Sequence, residues 1–324
     1  NITYNANIEK KENLCFFLLV DNIPENIPFI PEYLENKLDI RKLKLDSIWL
    51  NILNNFNNTF YQKASWCKHN MNFARFLIFD HFPKVERLVY LDWDMIVQED
   101  IFKLETEYNN TTKMVVANCG KQSLFSNIFT RNFTTEKNYR MIFSGNKKSY
   151  KFQKAYQIMK HFIENENDCH KIKGFNSGFY IVSNIHFKSD YMIHLLKKLI
   201  NTQEKYKCFN FGTQVVMNLM HIDNRIYIDK LWNTLPRGDI TKIKIIHWNG
   251  RIKPWKQPTN SPTDKLWFDY YYKIYPEKAE LFNKIINKKS SKKSSKKSSK
   301  KISKKISKNN KLLLRFISRH NVLA

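Results

Sequence analysis

Short, continuously apolar runs recur along the chain, and longer stretches with apolar residues at helical spacing lie between them. Runs of this kind predict strands buried on both faces, as in a parallel sheet that helices cover. The candidate strands are Leu14–Val20, Arg87–Leu91, Lys113–Ala117, Gly178–Val182 and Ile243–Ile246. The candidate helices are Lys68–His81, Tyr191–Thr202 and Thr213–His221. Strands that alternate with helices predict an α/β fold.

The chain changes character near Asn287. From Lys288 to Lys301 it repeats Lys-Lys-Ser-Ser, which offers nothing to bury and predicts a solvated, extended segment. We therefore expect a globular domain over residues 1–286 and a basic Lys/Ser-rich tail over residues 287–324. At the end of the tail, apolar residues among Lys and Arg fit either a terminal amphipathic helix or a merely solubilising segment. These apolar residues are Ile302, Ile306, Leu313, Phe316 and Ile317.

Composition excludes several classes of protein. With 42% apolar and 15% aromatic residues, the chain can bury a sizeable core, so global disorder is excluded. No apolar run approaches the roughly 18–20 residues needed to cross a bilayer. The five cysteines are scattered and form no Cys-x-x-Cys pair, which favours free thiols in a reducing compartment. We therefore expect a cytoplasmic protein, with peripheral membrane contact as an option for the tail.

The tail also raises the question of an anionic partner. Residues 288–324 contain 12 Lys and two Arg and no acidic residue, so they carry +14 of the net charge of +26. Such a segment can bind an anionic membrane surface or nucleic acid. Nucleic acid is the weaker alternative, because Phe316 is the tail's one aromatic residue and no base-reading motif stands out.

The most informative segment is Val89–Val97, an apolar strand that ends in two carboxylates, Asp92 and Asp94. In open α/β folds, ligands bind at the carboxyl ends of the strands. If the chain stays extended, the two carboxylates point the same way and can approach one divalent cation. An Asp-x-Asp in an ordinary loop is the alternative interpretation.

A second segment, Ile246–Trp255, also follows a short apolar strand with a candidate metal ligand, His247. Gly250 permits close backbone approach to a ligand, and Lys253 can neutralise a phosphate. The combination of a histidine with Lys-Pro-Trp six residues later is hard to obtain by chance. It strengthens the prediction of a site for a metal and a diphosphate.

Together these segments resemble glycosyltransferase family 8, the group that includes glycogenin and bacterial lipopolysaccharide galactosyltransferases. The resemblance extends over about residues 14–275, and its elements occur in the family's order. They are Phe73-Ala74-Arg75-Phe76, Tyr90–Asp94, Gly174–Gly178, Gly212-Thr213-Gln214 ahead of Asn218, a strand end at Trp232-Asn233, and His247–Trp255. The resemblance implies a GT-A fold with a mixed, mostly parallel central sheet flanked by helices. It also implies a retaining transferase that uses a UDP-sugar and Mn²⁺ (or Mg²⁺).

The resemblance assigns roles to individual residues. It places Asp92, Asp94 and His247 around the metal, with Asp92 also near the ribose or the donor sugar. Gly250 and Lys253 would meet the diphosphate. The catalytic pair would be Gln214, beneath the anomeric carbon, and Asn176, beside the donor sugar, with Arg75 at the donor sugar or diphosphate. The acceptor would be a carbohydrate, a protein or a lipid-linked group, and residues 118–172 are the expected place for it.

Two departures from the family pattern leave an alternative open. Thr213 stands where family members carry Asp, so one carboxylate expected near the sugar is missing. The strand that normally cradles the uracil should lie well ahead of Leu14–Val20, but the sequence provides only 13 residues there. Either the chain is cropped or the uracil pocket is built otherwise. A degenerate protein that binds nucleotide-sugar without transferring it would also fit.

Overall fold

The computed structural model describes residues 14–23, 36–60, 70–123, 128–129, 157–162, 173–209, 212–220, 222, 224–250, 253–256 and 261–276. The strands are β1 (Phe16–Val20), β2 (Leu38–Lys42), β3 (Arg87–Leu91), β4 (Met95–Val97), β5 (Met114–Ser123), β6 (Lys173–Ser183), β7 (Arg225–Ile228) and β8 (Ile245–His247). The α-helices are α1 (Ser47–Phe60), α2 (Ile78–His81), α3 (Phe102–Tyr108), α4 (Ser189–Tyr206), α5 (Gly212–Leu219) and α6 (Pro262–Ile274). Short 3₁₀ helices span Asn70–Phe76, Asn184–Phe187, Lys230–Trp232 and Ile240–Lys242.

A mixed four-stranded sheet in the order β3-β6-β5-β7 forms the centre of the domain. Strand β6 runs antiparallel to both β3 and β5, and β5 runs parallel to β7. Two further pairs are β1–β2, which is parallel, and β4–β8, which is antiparallel. The expected α/β class with a mixed sheet is confirmed, and it agrees with the GT-A fold that the resemblance implies.

The sheet was expected to be mostly parallel, but most of its strand pairs are antiparallel. Ser123 at the end of β5 lies opposite Lys173 at the start of β6. Strand β5 therefore ends where β6 begins, and two neighbouring strands that meet in this way run antiparallel. The apolar runs alone could not reveal this direction, because a strand buried on both faces has the same composition in either orientation.

Alternating side chains of the central strands face two separate cores. Val116 of β5 and Tyr180 of β6 belong to a large core with residues of α1, α4 and α5. Val115 and Phe179 point the other way, into a smaller core that includes Leu104 of α3. The central strands are therefore covered on both faces, as their apolar composition predicts.

Helix α1 has no counterpart in the sequence predictions. Its buried side chains recur at helical spacing, but the five Asn residues of Ser47–Phe60 have low helix propensity and obscure the pattern. The buried residues are Trp49, Ile52, Leu53, Phe56, Asn57 and Phe60. Asp46 caps the helix by accepting a hydrogen bond of 2.8 Å from the backbone N–H of Trp49.

Two local predictions need correction. The helix expected over Lys68–His81 is instead a 3₁₀ helix over Asn70–Phe76 followed by the short α2. A 3₁₀ helix has three residues per turn, which places Phe73 and Phe76 on one buried face. Trp232-Asn233 is not a strand end, because Asp229 accepts a hydrogen bond from Leu231 and starts a 3₁₀ turn immediately after β7.

The predicted tail, residues 287–324, lies outside the described residues, as does most of residues 118–172. Of the cysteines, Cys15 and Cys208 are free thiols. Within the described ranges, every helix is too short or too polar to cross a bilayer.

Candidate active site

The two carboxylates of the Asp-x-Asp motif lie between β3 and β4. The backbone N–H of Asp92 donates to the carbonyl of Gly178 at 2.8 Å, which extends the β3–β6 pairing by one residue. Trp93 and Asp94 then form a turn, so strand alternation does not align the two carboxylates as expected. They converge instead because the chain turns around the site.

His247 reaches this turn through the pairing of β4 with β8. Met95 lies opposite His247 in the ladder, and the backbone N–H of Trp248 donates to the carbonyl of Asp94 at 3.0 Å. The Nε2 atom of His247 lies 3.2 Å from Oδ1 of Asp94 and 3.8 Å from Oδ2 of Asp92. One ligand atom of each residue lies within 4.8 Å of the others. The structure thus brings the three expected metal ligands together.

The orientation of His247 is fixed from behind by Asn233. Nδ1 of His247 lies 2.9 Å from Oδ1 of Asn233, an amide oxygen that can only accept, so Nδ1 carries the proton. Nε2 then faces the two carboxylates, the orientation in which a metal could replace the hydrogen bond between Nε2 and Asp94. Asn233 in turn donates to the backbone carbonyl of Asn176 at 3.0 Å. The sequence indicates Asn233 only as part of a predicted strand end, so its contact with His247 is visible only in the structure.

Gly178 leaves the space that His247 and Asp92 occupy. A Cβ atom at this position would lie 2.4 Å from Cε1 of His247 and 2.9 Å from Oδ2 of Asp92. Real side chains do not approach so closely, so glycine is required here by packing rather than by backbone conformation.

Arg75 approaches Asp92 from the other side. Its guanidinium donates to Oδ1 of Asp92 at 3.2 Å and to the carbonyl of Ser177 at 2.9 Å, and it lies over the ring of Tyr90. The hydroxyl of Tyr90 donates to the same Oδ1 at 3.0 Å. Burial raises the pKa of Tyr90, and the charge of Asp92 adds to this effect, so the hydroxyl stays a donor. Arg75 therefore belongs to the cluster of charged side chains around Asp92.

Lys253 is buried beside Asp94. Its ammonium donates to Oδ2 of Asp94 and to the carbonyl of Trp248, and 7% of the residue is exposed. Burial alone would raise the pKa of Asp94, but the contacts with His247 and Lys253 outweigh it and hold that pKa below its usual value. The Asp94 carboxylate is thus ionised at neutral pH.

Gln214 binds the backbone of β6. Its Oε1 accepts from the backbone N–H and the hydroxyl of Ser177, at 3.0 and 2.9 Å, and its Nε2 donates to the carbonyl of Phe175. One turn later, Asn218 binds both the N–H and the carbonyl of Phe175. These contacts attach α5 to the strand that carries Asn176.

Asn176 and Gly250 complete the predicted set. Oδ1 of Asn176 accepts from the backbone N–H of Gly178 at 2.9 Å, so this side chain shapes the strand beside the carboxylates. Gly250 has a φ of 110°, a left-handed conformation that favours glycine. Among the described residues, no atom lies within 4 Å of the position that a Cβ would take there.

The chemistry of the three converging ligands fits a divalent metal. Two carboxylates and one imidazole nitrogen suit Mn²⁺, and the carboxylate oxygens also suit Mg²⁺. The arrangement supplies negative charge from two sides and one oriented nitrogen. Arg75 pairs with Asp92 and Lys253 pairs with Asp94, so each carboxylate also has a basic partner.

Comparisons with known proteins identify relatives for most of the chain. The chain is 25% identical over 230 residues to "Probable galacturonosyltransferase-like 9" of Arabidopsis thaliana, covering 65% of this chain and 51% of the relative. It is 24% identical over 230 residues to human "Glycosyltransferase 8 domain-containing protein 1", covering 66% and 57%. The chain spans about half the length of the curated relatives it matches.

A solved structure of the galactosyltransferase LgtC in complex with donor and acceptor sugar analogs aligns with 79% of this chain and 83% of its own, with a TM-score of 0.46 and 13% identity. The sequence profile described as "Glycosyl transferase family 8" matches residues 6–259, well over half of the chain. The chain therefore belongs to glycosyltransferase family 8.

Proposed function

We propose that this protein is a metal-dependent, retaining hexosyltransferase that moves a hexose from a UDP-sugar to a carbohydrate, protein or lipid-linked acceptor. The observation that carries the proposal is the convergence of Asp92, Asp94 and the oriented Nε2 of His247. A cation held by these three residues would supply positive charge to the diphosphate of the donor.

The chain's own cations complement that charge. When the bond between the sugar and UDP breaks, negative charge grows on the leaving phosphate. Lys253 already lies at Asp94, and Arg75 already lies at Asp92, so each is near the place where the diphosphate would bind. Hydrogen bonds already hold both side chains in place. Charges that are fixed before the reaction stabilise the transition state without having to reorganise.

Gln214 and Asn176 act by positioning. Both polar atoms of the Gln214 amide have partners on β6, and a neutral amide is a poor nucleophile. We assign Gln214 the task of fixing the stretch Phe175–Ser177, so that Asn176 and the backbone of β6 stay beside the donor sugar.

The test is release of UDP from a panel of donors by the purified full chain. The panel includes UDP-glucose, UDP-galactose and UDP-galacturonate, the last because relatives are named galacturonosyltransferase-like. Each donor is measured with Mn²⁺, with Mg²⁺ and with EDTA. The paired variants are Asp94→Asn, at the site, and Asp269→Asn, an exposed position on α6. Metal-dependent release that Asp94→Asn abolishes and Asp269→Asn preserves supports the proposal, and metal-independent release contradicts it.

A second candidate is a protein that binds nucleotide-sugar without transfer. Thr213 favours it, because this residue stands directly before Gln214 at the start of α5, where family members carry a carboxylate. Binding of UDP with metal but no release of UDP from any donor would select this candidate.

The anionic-surface or nucleic-acid partner of residues 288–324 is a separate proposal, which rests on charge alone.

A further inference from the structure

Side chains of α5 hold the backbone of β6 where this strand passes the candidate metal ligands. Phe175 donates its backbone N–H to Oδ1 of Asn218 at 3.0 Å, and Ser177 donates its backbone N–H to Oε1 of Gln214 at 3.0 Å. The carbonyl of Phe175 accepts from both of these amides. The pairing of β5 with β6 is irregular here, with register shifts on both sides of the pair Asn118–Phe175. The position of this stretch therefore depends on where α5 lies.

Arg225, at the start of β7, holds the carboxyl end of α5. Nη2 of its guanidinium donates to the carbonyls of Met217, Asn218 and Met220, at 3.0, 2.6 and 2.6 Å. The last carbonyls of an α-helix have no partner within the helix, and a cation there also complements the negative end of the helix dipole. Because β7 pairs with β5, Arg225 attaches α5 to the central sheet.

The same guanidinium lies against the ring of Phe175. Its Cζ atom is 5.0 Å from the ring centroid, and Phe175 is fully buried. A guanidinium over an aromatic face is attracted to it, more strongly where water is excluded. Arg225 thus contacts both sides of the junction between α5 and β6, although it belongs to none of the sequence motifs.

The next two residues of β6 connect this junction to the candidate metal ligands. The carbonyl of Asn176 accepts from Asn233, whose Oδ1 in turn holds His247. The carbonyl of Ser177 accepts from Arg75 at 2.9 Å. A displacement of this stretch would therefore reach the groups around the carboxylates.

We propose that Arg225 is a positioning residue for the transfer reaction, which acts through α5 and the stretch Phe175–Ser177. This inference rests on the proposed function and extends it to a residue on β7. A misplacement of about 1 Å at an active site can slow a reaction about 100-fold, even when the substituted residue is far from the chemistry.

Arg87 provides a matched control. It is also an arginine at the start of a central strand, β3, and its guanidinium donates to the carbonyls of Asn109 and Thr111, just beyond α3, at 2.9 and 2.8 Å. It lies opposite Ser183, at the other end of β6 from the stretch Phe175–Ser177. Arg87→Ala therefore removes contacts of the same kind without touching the junction of α5 and β6.

The first measurement is amide hydrogen exchange of the full chain without metal, in the peptide that contains Phe175–Ser177. The two amides that donate to α5 side chains report directly on the junction. Arg225→Ala should speed their exchange about 10-fold or more, since it removes hydrogen bonds from a charged donor. Arg225→Lys should speed it less, because the ammonium keeps the charge at the helix end but loses the planar contact with the ring.

Arg87→Ala should leave the exchange of this peptide unchanged. Wild-type exchange in Arg225→Ala, or an equal increase in Arg87→Ala, would overturn the proposal. If Arg225→Ala does not fold, Arg225→Lys decides the question in the same way.

The second measurement is the kinetics of UDP release with Mn²⁺. Arg225→Ala should lower kcat and kcat/KM by a similar factor, up to about 100-fold, and leave the KM for the donor unchanged. Arg87→Ala should keep the wild-type kcat. Arg225→Ala should lower kcat less in a Gln214→Ala background than in the wild type, because both changes act on the same stretch.

Fully additive losses, or a loss of kcat no larger than that of Arg87→Ala, would contradict the positioning role. If the wild-type chain releases no UDP from any donor, the proposed function fails. The exchange measurement needs no activity and still decides whether Arg225 holds the stretch, so the two failures are distinguishable.

Discussion

Replacing Gly178 by alanine tests the geometry of the candidate metal cluster without removing any ligand. The added Cβ would lie 2.4 Å from Cε1 of His247, whereas carbon atoms in ordinary contact are about 3.5–4.0 Å apart. The imidazole must therefore move by about 1 Å, while ligand positions tolerate only about 0.5 Å. Because Asn233 holds the other ring nitrogen, a shift of His247 also disturbs its hydrogen bond.

We expect Gly178→Ala to weaken Mn²⁺ binding by about 10- to 100-fold, the range found when the support of a ligand is disturbed. Overpacking should also destabilise the fold by about 1–3 kcal/mol. Electron paramagnetic resonance of free Mn²⁺ measures the affinity, and thermal unfolding of the metal-free protein measures the cost in stability. Mn²⁺ raises the melting temperature of a protein that binds it in the folded state, so this rise should shrink in the variant.

The control is Gly238→Ala. Gly238 has a φ of 74°, and a Cβ there would meet no atom of the described residues within 4 Å, so this variant carries backbone strain without a clash at the site. It should lose stability and keep its Mn²⁺ affinity. If Gly178→Ala folds and binds Mn²⁺ as tightly as the wild type, His247 is not a ligand and the assignment of the cluster is wrong.

Four further outcomes follow from the same contacts. Asn233→Ala should lower Mn²⁺ affinity about 10-fold or more in the same resonance assay, because Nδ1 of His247 loses the acceptor that fixes its tautomer. Lys253→Ala should destabilise the metal-free protein by about 3–5 kcal/mol in chemical unfolding, because it leaves the buried Asp94 carboxylate without the Lys253 ammonium. Added Mn²⁺ should restore part of the lost stability. Gln214→Ala should slow UDP release yet leave measurable activity, and a sugar adduct trapped on Gln214 in the wild type would contradict its positioning role. Deletion of residues 288–324 should abolish sedimentation with phosphatidylserine vesicles at low salt while UDP release persists; equal pelleting of both forms would exclude a membrane role and make RNA or DNA binding the next measurement.

The local pattern of the sequence was sufficient for the fold class and for choosing the three residues that the structure brings together, Asp92, Asp94 and His247. The apolar run Arg87–Leu91 predicted β3 with both of its observed bounds, and the two carboxylates were expected just beyond the carboxyl end of that strand. Residues Asp92, Asp94, His247 and Lys253 could be chosen because their motifs are short and contiguous. The Asn-rich helix α1 was missed, since its buried positions are separated by residues of low helix propensity.

The tertiary structure alone decided how these motifs meet. The pairing of β4 with β8 brings Lys253 to Asp94 across 159 positions of sequence, and no local pattern encodes that contact. The same packing turns Asn233 toward His247 and leaves Trp93 half exposed against Trp255. Periodicity reports which face of an element is buried, but which elements become neighbours depends on how the whole chain fills its two cores. The candidate metal ligands were therefore readable from the sequence, whereas their convergence and orientation required the fold.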